Sequence, residues 1–261
     1  MSELQNAGWR VKRSILSISL DKNTPHVSSA LSCADLLVGL LSRKKSSTLC
    51  EIYLSKGHAA LALYCALEEY GFISTDDLAT YGDDASIYEG HVNSRIPGVP
   101  LSTGSLGHAL AFAAGRAFAD AVDGSTLEHW VLLSDGELDE GSNWEALLLA
   151  SHMRLRGLNV IIDRNGFQSL KETESTLALE PLAEKLSAFN WHVEEIDGHN
   201  LLEIDAALER ASSSSSPTCI IANTIKGYPL AEIMDEGVLF HYRSATGAHL
   251  ESFDSMKAYE A

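Results

Sequence analysis

The second half of the chain alternates short apolar runs with longer segments in which apolar residues recur every three or four positions. Runs of the first kind have the length of buried strands, and the spacing of the second kind is helical. We predict strands at 130–133, 158–163, 191–196 and 218–222, and helices at 143–155, 180–188 and 201–211. This alternation predicts an α/β fold, a doubly wound parallel sheet with helices on both faces.

The first half has a different pattern, which is mainly helical. Apolar spacing predicts helix over much of the first 45 residues, and again at 59–70 and 106–121. A short apolar run at 51–54 precedes the sequence SKGH, whereas 82–104 is rich in Gly, Pro, Ser and Asn and predicts a loop. We interpret residues 1–261 as a single domain.

The charge balance excludes one class of partner. The formal net charge of -17 argues against nucleic acid, because phosphate backbones require basic patches. A phosphate-bearing ligand would need local positive charge to overcome this field. The four cysteines form no close-spaced pair, so no zinc or disulfide motif is indicated. No signal peptide and no run of about 20 apolar residues is found, which predicts a cytoplasmic protein without a membrane partner.

Candidate chemistry follows two neighbouring predicted strands. Open parallel sheets bind ligands beyond the carboxyl ends of their strands. Asp135 and Gly136 follow the first strand, and Asn165 follows the second, thirty positions after Asp135. Their oxygens suit Mg²⁺, which commonly completes its shell with phosphate and water, and Gly136 permits close approach of a phosphate. The alternative is that Asp135 caps a helix and Asn165 shapes a turn.

This spacing is the metal–diphosphate motif of thiamine-diphosphate enzymes, and other segments extend the resemblance. LSKGHA at 54–59, PGV at 97–99 with STGSLG at 102–107, ELDEGSNWEA at 137–146 and ANTIKG at 222–227 occur in the order typical of transketolases. From about residue 20 to residue 243 the chain resembles the N-terminal, pyrophosphate-binding part of a transketolase. The resemblance implies the thiamine-diphosphate-binding fold.

The resemblance also implies a role for each matching residue. The metal, Mg²⁺ or alternatively Ca²⁺ or Mn²⁺, would be held by Asp135, Asn165 and the backbone carbonyl of Phe167. The residues expected to bind thiamine diphosphate are His58, Gly104, Leu106, Asp135, Gly136, Glu137, Asn165 and His241. The histidines expected to act on the sugar substrate are His26 and His91. The acids expected at the subunit interface are Glu140 and Glu145.

Three positions depart from the family pattern. Ser134 and His108 stand where glycine and glutamine are usual, and Tyr242 replaces the glycine that usually follows His241. No predicted metal ligand is lost. Since His108 and Tyr242 lie near the expected cofactor and substrate region, they put the usual sugar-phosphate specificity in doubt. We interpret the remaining histidines as structural.

The resemblance implies a second chain. In transketolases a glutamate that contacts the cofactor, and the arginines that grip the substrate phosphate, belong to later domains, and this chain stops at Ala261. We therefore expect a C-terminal transketolase subunit that supplies the pyrimidine-binding domain, the C-terminal domain and the catalytic glutamate, in an α₂β₂ assembly. Together the subunits would transfer a two-carbon ketol unit from a ketose or ketose phosphate to an aldose or other aldehyde.

Other functions remain open at this point. The α subunit of a 2-oxo-acid dehydrogenase decarboxylase shares the cofactor motif, but the SKGHA and TGSLG segments favour transketolase. A non-catalytic regulatory subunit could retain the fold, although the Asp135–Asn165 pair and the retained histidines argue against it. A generic nucleotide-binding domain is disfavoured because no G-x-G-x-x-G or Walker A sequence follows a predicted strand.

Overall fold

The computed structural model describes residues 2–46 and 49–260. The sheet has five strands: β1 Cys50–Leu54, β2 Glu128–Ser134, β3 Leu158–Arg164, β4 His192–Asp197 and β5 Thr218–Asn223. The helices are α1 Glu3–Lys22, α2 Val27–Ser46, α3 Ala60–Glu69, α4 Thr75–Ala79, α5 Ala109–Asp123, α6 Gly141–His152, α7 Thr173–Thr176, α8 Leu182–Ala188, α9 Leu201–Ser212, α10 Ala231–Met234 and α11 Gly247–Glu260.

All strand pairs of the sheet are parallel, in the order β1-β2-β3-β5-β4. Successive side chains of a strand point to opposite faces. On one face Leu132 and Ile161 join a core formed with α1, α2, α3 and α9, and on the other Val131 and Val160 join a core formed with α5, α6 and α8. The predicted doubly wound sheet with helices on both faces is therefore confirmed.

The predicted elements of the second half are confirmed with small shifts at their ends, and the backbone explains these shifts. The helix expected from residue 106 begins at Ala109, because Gly107 has φ +82° and lies outside helical geometry. The helix expected to reach residue 155 ends at His152, since Arg154 has φ 53°. The run at 51–54, for which no structure was predicted, is the edge strand β1.

The long loop between α4 and α5 folds back over the end of β1. A bridge pairs Val92 with Thr103, and the Thr103 hydroxyl donates to the Leu54 carbonyl oxygen at 2.6 Å. A Cβ added at Gly57 would lie 2.5 Å from the Thr103 carbonyl. Glycine in the SKGHA segment therefore lets the loop pack directly against the 3-10 turn Gly57–Ala59.

Helices α5 and α6 contact each other and are apolar on their outer sides as well as their inner ones. Six outward side chains, each between 40% and 70% exposed, form what we call the outer apolar surface: Phe112, Phe118 and Val122 of α5, Leu148 and Leu149 of α6, and Met153 just after it. A helix that stands at a monomer surface normally has a polar outer face.

Two further sequence expectations concern the thiols and the membrane. Cys33, Cys50, Cys65 and Cys219, which form no disulfide motif in the sequence, are buried and free. Among residues 2–46 and 49–260, no helix has both the length and the apolar character needed to cross a bilayer.

Candidate functional site

A cavity of about 120 Å³ opens at the carboxyl edge of the sheet. It lies where the segments after β1, β2, β3 and β5 converge. Six residues predicted from sequence line it: His58, Leu106, Gly136, Asn165, Phe167 and His241. Six more lining residues had been given no role: Ser29, Lys56, Ser134, Gln168, Ser169 and Lys226. The structure thus brings segments far apart in sequence into one polar pocket.

Asp135 lies under Gly136 at the floor of this edge and is fully buried. Its carboxylate accepts hydrogen bonds from the backbone N–H of Gly136 at 2.8 Å, from that of Gly166 at 2.6 Å, and from Arg164 Nη1 at 3.0 Å. Burial, together with the nearby Asp163 charge, raises the pKa of Asp135 to about 6. The carboxylate is therefore held in place, but its negative charge is incompletely compensated by its neighbours. A bound cation would stabilise that charge.

The donor atoms near Asp135 fit a hard cation that also binds phosphate. The Asn165 Oδ1 accepts from the Phe167 N–H at 3.1 Å and retains a second lone pair. Among the described residues no group of three His, Cys, Asp or Glu side chains could enclose a metal. One carboxylate, one amide oxygen and a backbone carbonyl suit Mg²⁺, which then needs oxygens from phosphate and water.

Glu137 occupies a different position from the other predicted cofactor residues. Its buried carboxylate does not line the cavity and accepts from the Ser55 hydroxyl and, at 2.8 Å, from the Gly107 N–H. A Cβ at Gly107 would meet the Ser142 hydroxyl oxygen at 2.6 Å. Glu137 therefore joins the segments after β1 and β2 to the loop before α5 and shapes the cavity wall.

Histidines form a cluster beside the cavity. The His26 ring centroid lies 4.7 Å from that of His241, 5.4 Å from His58 and 6.5 Å from His91. His91 is exposed, and its Cδ2 would contact a Cβ added at Gly104 at 3.1 Å. The two predicted substrate histidines and the two predicted cofactor histidines are thus neighbours.

His26 stands between α1 and α2 in an unusual conformation. Its φ of 66° lies in the left-handed region, and its N–H donates to the His241 carbonyl oxygen at 3.2 Å. Its buried Nδ1 has no hydrogen-bond partner among the described residues. Backbone strain and an unsatisfied buried nitrogen are both typical of a functional position.

Three histidines of the cluster, His26, His58 and His241, are held neutral. Burial, followed by the charge of the neighbouring lysines or of His91, lowers the pKa of His26 to about 4 and that of His241 to about 3. The pKa of His58 is also lowered, by burial and then by Lys56. Neutral imidazoles can donate one hydrogen bond and accept another without adding charge.

A buried ion pair stands behind the cavity. Lys56 is bonded to Asp163, which also accepts from Ser32 Oγ at 2.7 Å and from Asn165 Nδ2 at 3.3 Å. Burial opposes both charges, but their mutual attraction raises the pKa of Lys56 and lowers that of Asp163. Removing either partner would leave an uncompensated buried charge, so this pair fixes the segment after β1 to strand β3.

Lys226 is the second buried lysine that lines the cavity, and it has no ion-pair partner among the described residues. Its ammonium contacts the Gln168 carbonyl oxygen at 3.3 Å and His241 Nδ1 at 3.5 Å. Burial and the Lys56 charge lower the pKa of Lys226 to about 8. Because an ammonium only donates, His241 Nδ1 is the acceptor and the ring proton lies on Nε2. A bound anion would stabilise this lysine.

Two of the three family departures lie at the cavity and its mouth. Ser134 lines the cavity, and the half-exposed ring of Tyr242 lies 4.9 Å from His241 and 6.5 Å from His26, centroid to centroid. His108 is exposed and directly precedes α5. Tyr242 is therefore the departure that changes the surface seen by a molecule approaching the histidines.

Lys56 and Lys226 were missed although both lie in segments that carried the resemblance. The overall charge of -17 could have indicated these two lysines. An anion in an acidic protein needs local cations, and each lysine follows a strand closely, where ligands of parallel sheets bind. Ser29 had no comparable signal, because its place in the cavity depends on how α2 packs.

Comparison with protein families decides the assignment. The model described as "Transketolase, thiamine diphosphate binding domain" matches residues 50–238, most of the chain. The chain belongs to the transketolase family. It therefore carries a thiamine-diphosphate-binding domain of the transketolase type, as the resemblance in its sequence implied.

Named relatives and solved structures agree with this family. A subunit of the apulose-4-phosphate transketolase of Actinobacillus succinogenes is 38% identical over 237 residues, 86% of this chain and 85% of that protein. The 6-deoxy-6-sulfo-D-fructose transketolase subunit SqwG of a Clostridium species is 39% identical over 178 residues, 67% of this chain and 65% of that protein. The crystal structure of Campylobacter jejuni transketolase superposes with TM-score 0.83 at 27% identity, covering 98% of this chain but 42% of that one.

Proposed function

We propose that this chain is the N-terminal subunit of a split transketolase. It binds the diphosphate of thiamine diphosphate through Mg²⁺ and, with a partner subunit, transfers a two-carbon ketol unit from a ketose to an aldehyde. The observation that carries the proposal is the convergence of Gly136, Asn165 and Lys226 on one cavity at the carboxyl edge of the sheet, with the buried Asp135 directly preceding Gly136.

The cavity offers complementary groups for a metal diphosphate. Asp135, Asn165 and the Phe167 carbonyl would hold the Mg²⁺. The Lys226 ammonium, the neutral His58 and His241 rings and the Gly136 backbone would face the diphosphate oxygens. The negative charge of the diphosphate would stabilise the Lys226 ammonium, whose pKa burial lowers to about 8.

When bound, thiamine diphosphate supplies a nucleophilic carbon and an electron sink for the two-carbon unit. His26 and His91 would orient the hydroxyl and carbonyl oxygens of the sugar. His26 suits this task because its low pKa keeps it neutral and its Nδ1 is free to hydrogen-bond. Its fixed, left-handed backbone restricts where that nitrogen can lie.

The named relatives support the substrate class and the split architecture. One relative is named for a ketose phosphate and another for a sulfonated ketose, and both are named as subunits. We infer that the donor here is a ketose and that the pyrimidine-binding domain, the C-terminal domain and the catalytic glutamate come from a C-terminal subunit. An α₂β₂ complex would contain two such sites.

The outer apolar surface of α5 and α6 is our proposed contact for that partner. Exposed apolar patches on this scale commonly mark interaction sites. Glu140 and Glu145 lie at the start of α6 and in its exposed face, next to this surface. Docking there would cover the exposed side chains of Leu148 and Leu149 and bring the partner to the rim of the cofactor cavity.

The function is tested on the co-purified complex of this chain with its partner. We expect calorimetry to detect binding of thiamine diphosphate only in the presence of Mg²⁺, and a coupled assay to detect ketol transfer from ketose donors. Decarboxylation of a 2-oxo acid without ketol transfer would instead support the dehydrogenase alternative. Absence of any cofactor binding would support a regulatory subunit.

Tyr242 is expected to affect sugar recognition and not cofactor binding. Its half-exposed ring presents an apolar face and a hydroxyl at the mouth of the histidine cluster. Tyr242→Ala should raise the KM for the ketose about threefold to tenfold, the range of one lost aromatic contact. Tyr242→Phe keeps the ring and is the matched control. A KM unchanged in both variants, measured by initial rates at saturating cofactor, would contradict this role.

A further inference from the structure

A buried polar triad lies beneath the α1–α2 pair, outside the cofactor cavity. Lys12 Nζ donates to both Asp35 oxygens, at 2.6 and 2.7 Å, and His199 Nδ1 lies 3.1 Å from Asp35 Oδ2. Asp35 is 1% exposed and Lys12 7%. None of the three residues lines the cofactor cavity, and the proposed reaction does not use them. Burying two charges and an imidazole is costly, and here the cost is offset by the hydrogen bonds that all three groups make.

The hydrogen bonds fix the tautomer of His199. Its Nε2 lies 2.9 Å from the backbone nitrogen of Ile225, which can only donate. Nε2 is therefore the acceptor, and the ring proton on Nδ1 is donated to Asp35. The ring also stacks on Tyr228 at a centroid distance of 3.9 Å and an interplanar angle of 21°. Both the rotation of the ring and its tautomer are thus set by its neighbours.

His199 holds the loop that carries Lys226. Ile225 is bonded to the imidazole and Tyr228 is stacked on it, so the ring contacts the loop on both sides of Lys226. On the far side the Gly227 N–H donates to the Ser28 carbonyl oxygen at 3.1 Å. The loop is bonded at each residue flanking Lys226, while the lysine side chain projects into the cavity.

We propose that the Lys12–Asp35–His199 triad is a positioning device that holds the Lys226 ammonium at the cofactor diphosphate. Asp35 orients the imidazole, Lys12 neutralises Asp35, and the imidazole fixes the Ile225 N–H. Without this anchor, the Ile225 N–H would lose its acceptor, and the Gly227 bond to Ser28 would remain on the other side of Lys226. Charge recognition depends on distance, so a loosened loop weakens anion binding without removing any group that contacts the anion.

Two amide variants of His199 test its two hydrogen bonds separately, the one at Nε2 and the one at Nδ1. A glutamine amide oxygen can replace Nε2 and accept from Ile225, whereas an asparagine amide nitrogen can replace Nδ1 and reach only Asp35. The inference rests on the proposed function, so the probe is thiamine diphosphate with Mg²⁺, titrated by calorimetry into the complex. We expect His199→Asn to raise the Kd about threefold to tenfold, the effect of one lost hydrogen bond, and His199→Gln to restore most of the affinity.

A double-mutant cycle distinguishes positioning from general destabilisation. If His199 acts through Lys226, His199→Asn should change the Kd little in a Lys226→Met background. The exposed His192 supplies the control variant His192→Asn. Thermal unfolding midpoints of the variants without cofactor set an assay temperature at which every member of the cycle is folded.

The outcomes are distinct. Unchanged affinity in His199→Asn, equal losses in the asparagine and glutamine variants, or additive effects in the cycle would overturn the positioning role while leaving the proposed function intact. Failure of the wild-type complex to bind the cofactor would instead overturn the proposed function, and this inference with it.

Discussion

Replacing Asp135 with alanine is expected to abolish Mg²⁺-dependent binding of thiamine diphosphate. The carboxylate is the single acidic side chain in the proposed metal set, and Gly136 and Gly166 hold it in place through backbone hydrogen bonds. Even residues that only support metal ligands cost about tenfold to a hundredfold in affinity when removed. We therefore expect a loss of about a hundredfold or more for a direct ligand.

The apo fold should tolerate this change. Arg164, which donates to Asp135, also pairs with Glu174 and Glu180, so it keeps two carboxylates. Removing Asp135 also relieves its repulsion with Asp163, which contributes to its raised pKa. Calorimetric titration of the complex would measure the loss, with the exposed Asp205→Ala as control. Retained affinity in a folded Asp135→Ala complex would remove Asp135 from the metal site.

The second large effect is expected at the outer apolar surface. Changing Leu148 and Leu149 together to glutamate would place two carboxylates in the proposed contact with the partner subunit. Buried hot-spot residues contribute about 2 kcal/mol or more each, so the Kd of assembly should rise at least about a hundredfold. Sedimentation analysis of the mixed subunits would then show separate chains in place of a complex.

A leucine of similar exposure on another part of the surface supplies the control variant. Leu202 of α9 is 65% exposed but lies with the helices of the opposite face of the sheet. Leu202→Glu should leave assembly unchanged, which separates loss of a specific contact from a general effect of added charge. Normal assembly of the Leu148→Glu/Leu149→Glu double variant would move the partner contact to another surface.

The sequence predicted the sheet well because its buried strands carry continuous apolar runs. The run at 51–54 was harder, since it is short and begins with an acid, and only pairing with β2 establishes it as strand β1. Helix ends depended on single backbone angles, as at Gly107 and Arg154. Such angles are set by packing and turn geometry, which periodicity does not report.

Some residues of the candidate site could likewise be predicted from local sequence, whereas others depend on packing. Asp135, Asn165 and His58 lie in short motifs at strand ends, so local sequence was enough to propose them. Ser29 enters the cavity only through the packing of α2. Glu137 does not line the cavity, because its carboxylate is bonded to Ser55, a contact between segments 82 positions apart. The anchor from His199 to Ile225 spans residues 26 positions apart, and no local pattern predicts it.

The outer apolar surface has a consequence for protein homeostasis. A chain that presents bare phenylalanines and leucines tends to self-associate, and quality-control proteases remove such chains. The steady-state level of this chain should therefore follow the supply of whatever covers that surface, and surplus copies made alone should be short-lived. Translating the two chains in matched amounts would then spare the cell both aggregation and wasted synthesis.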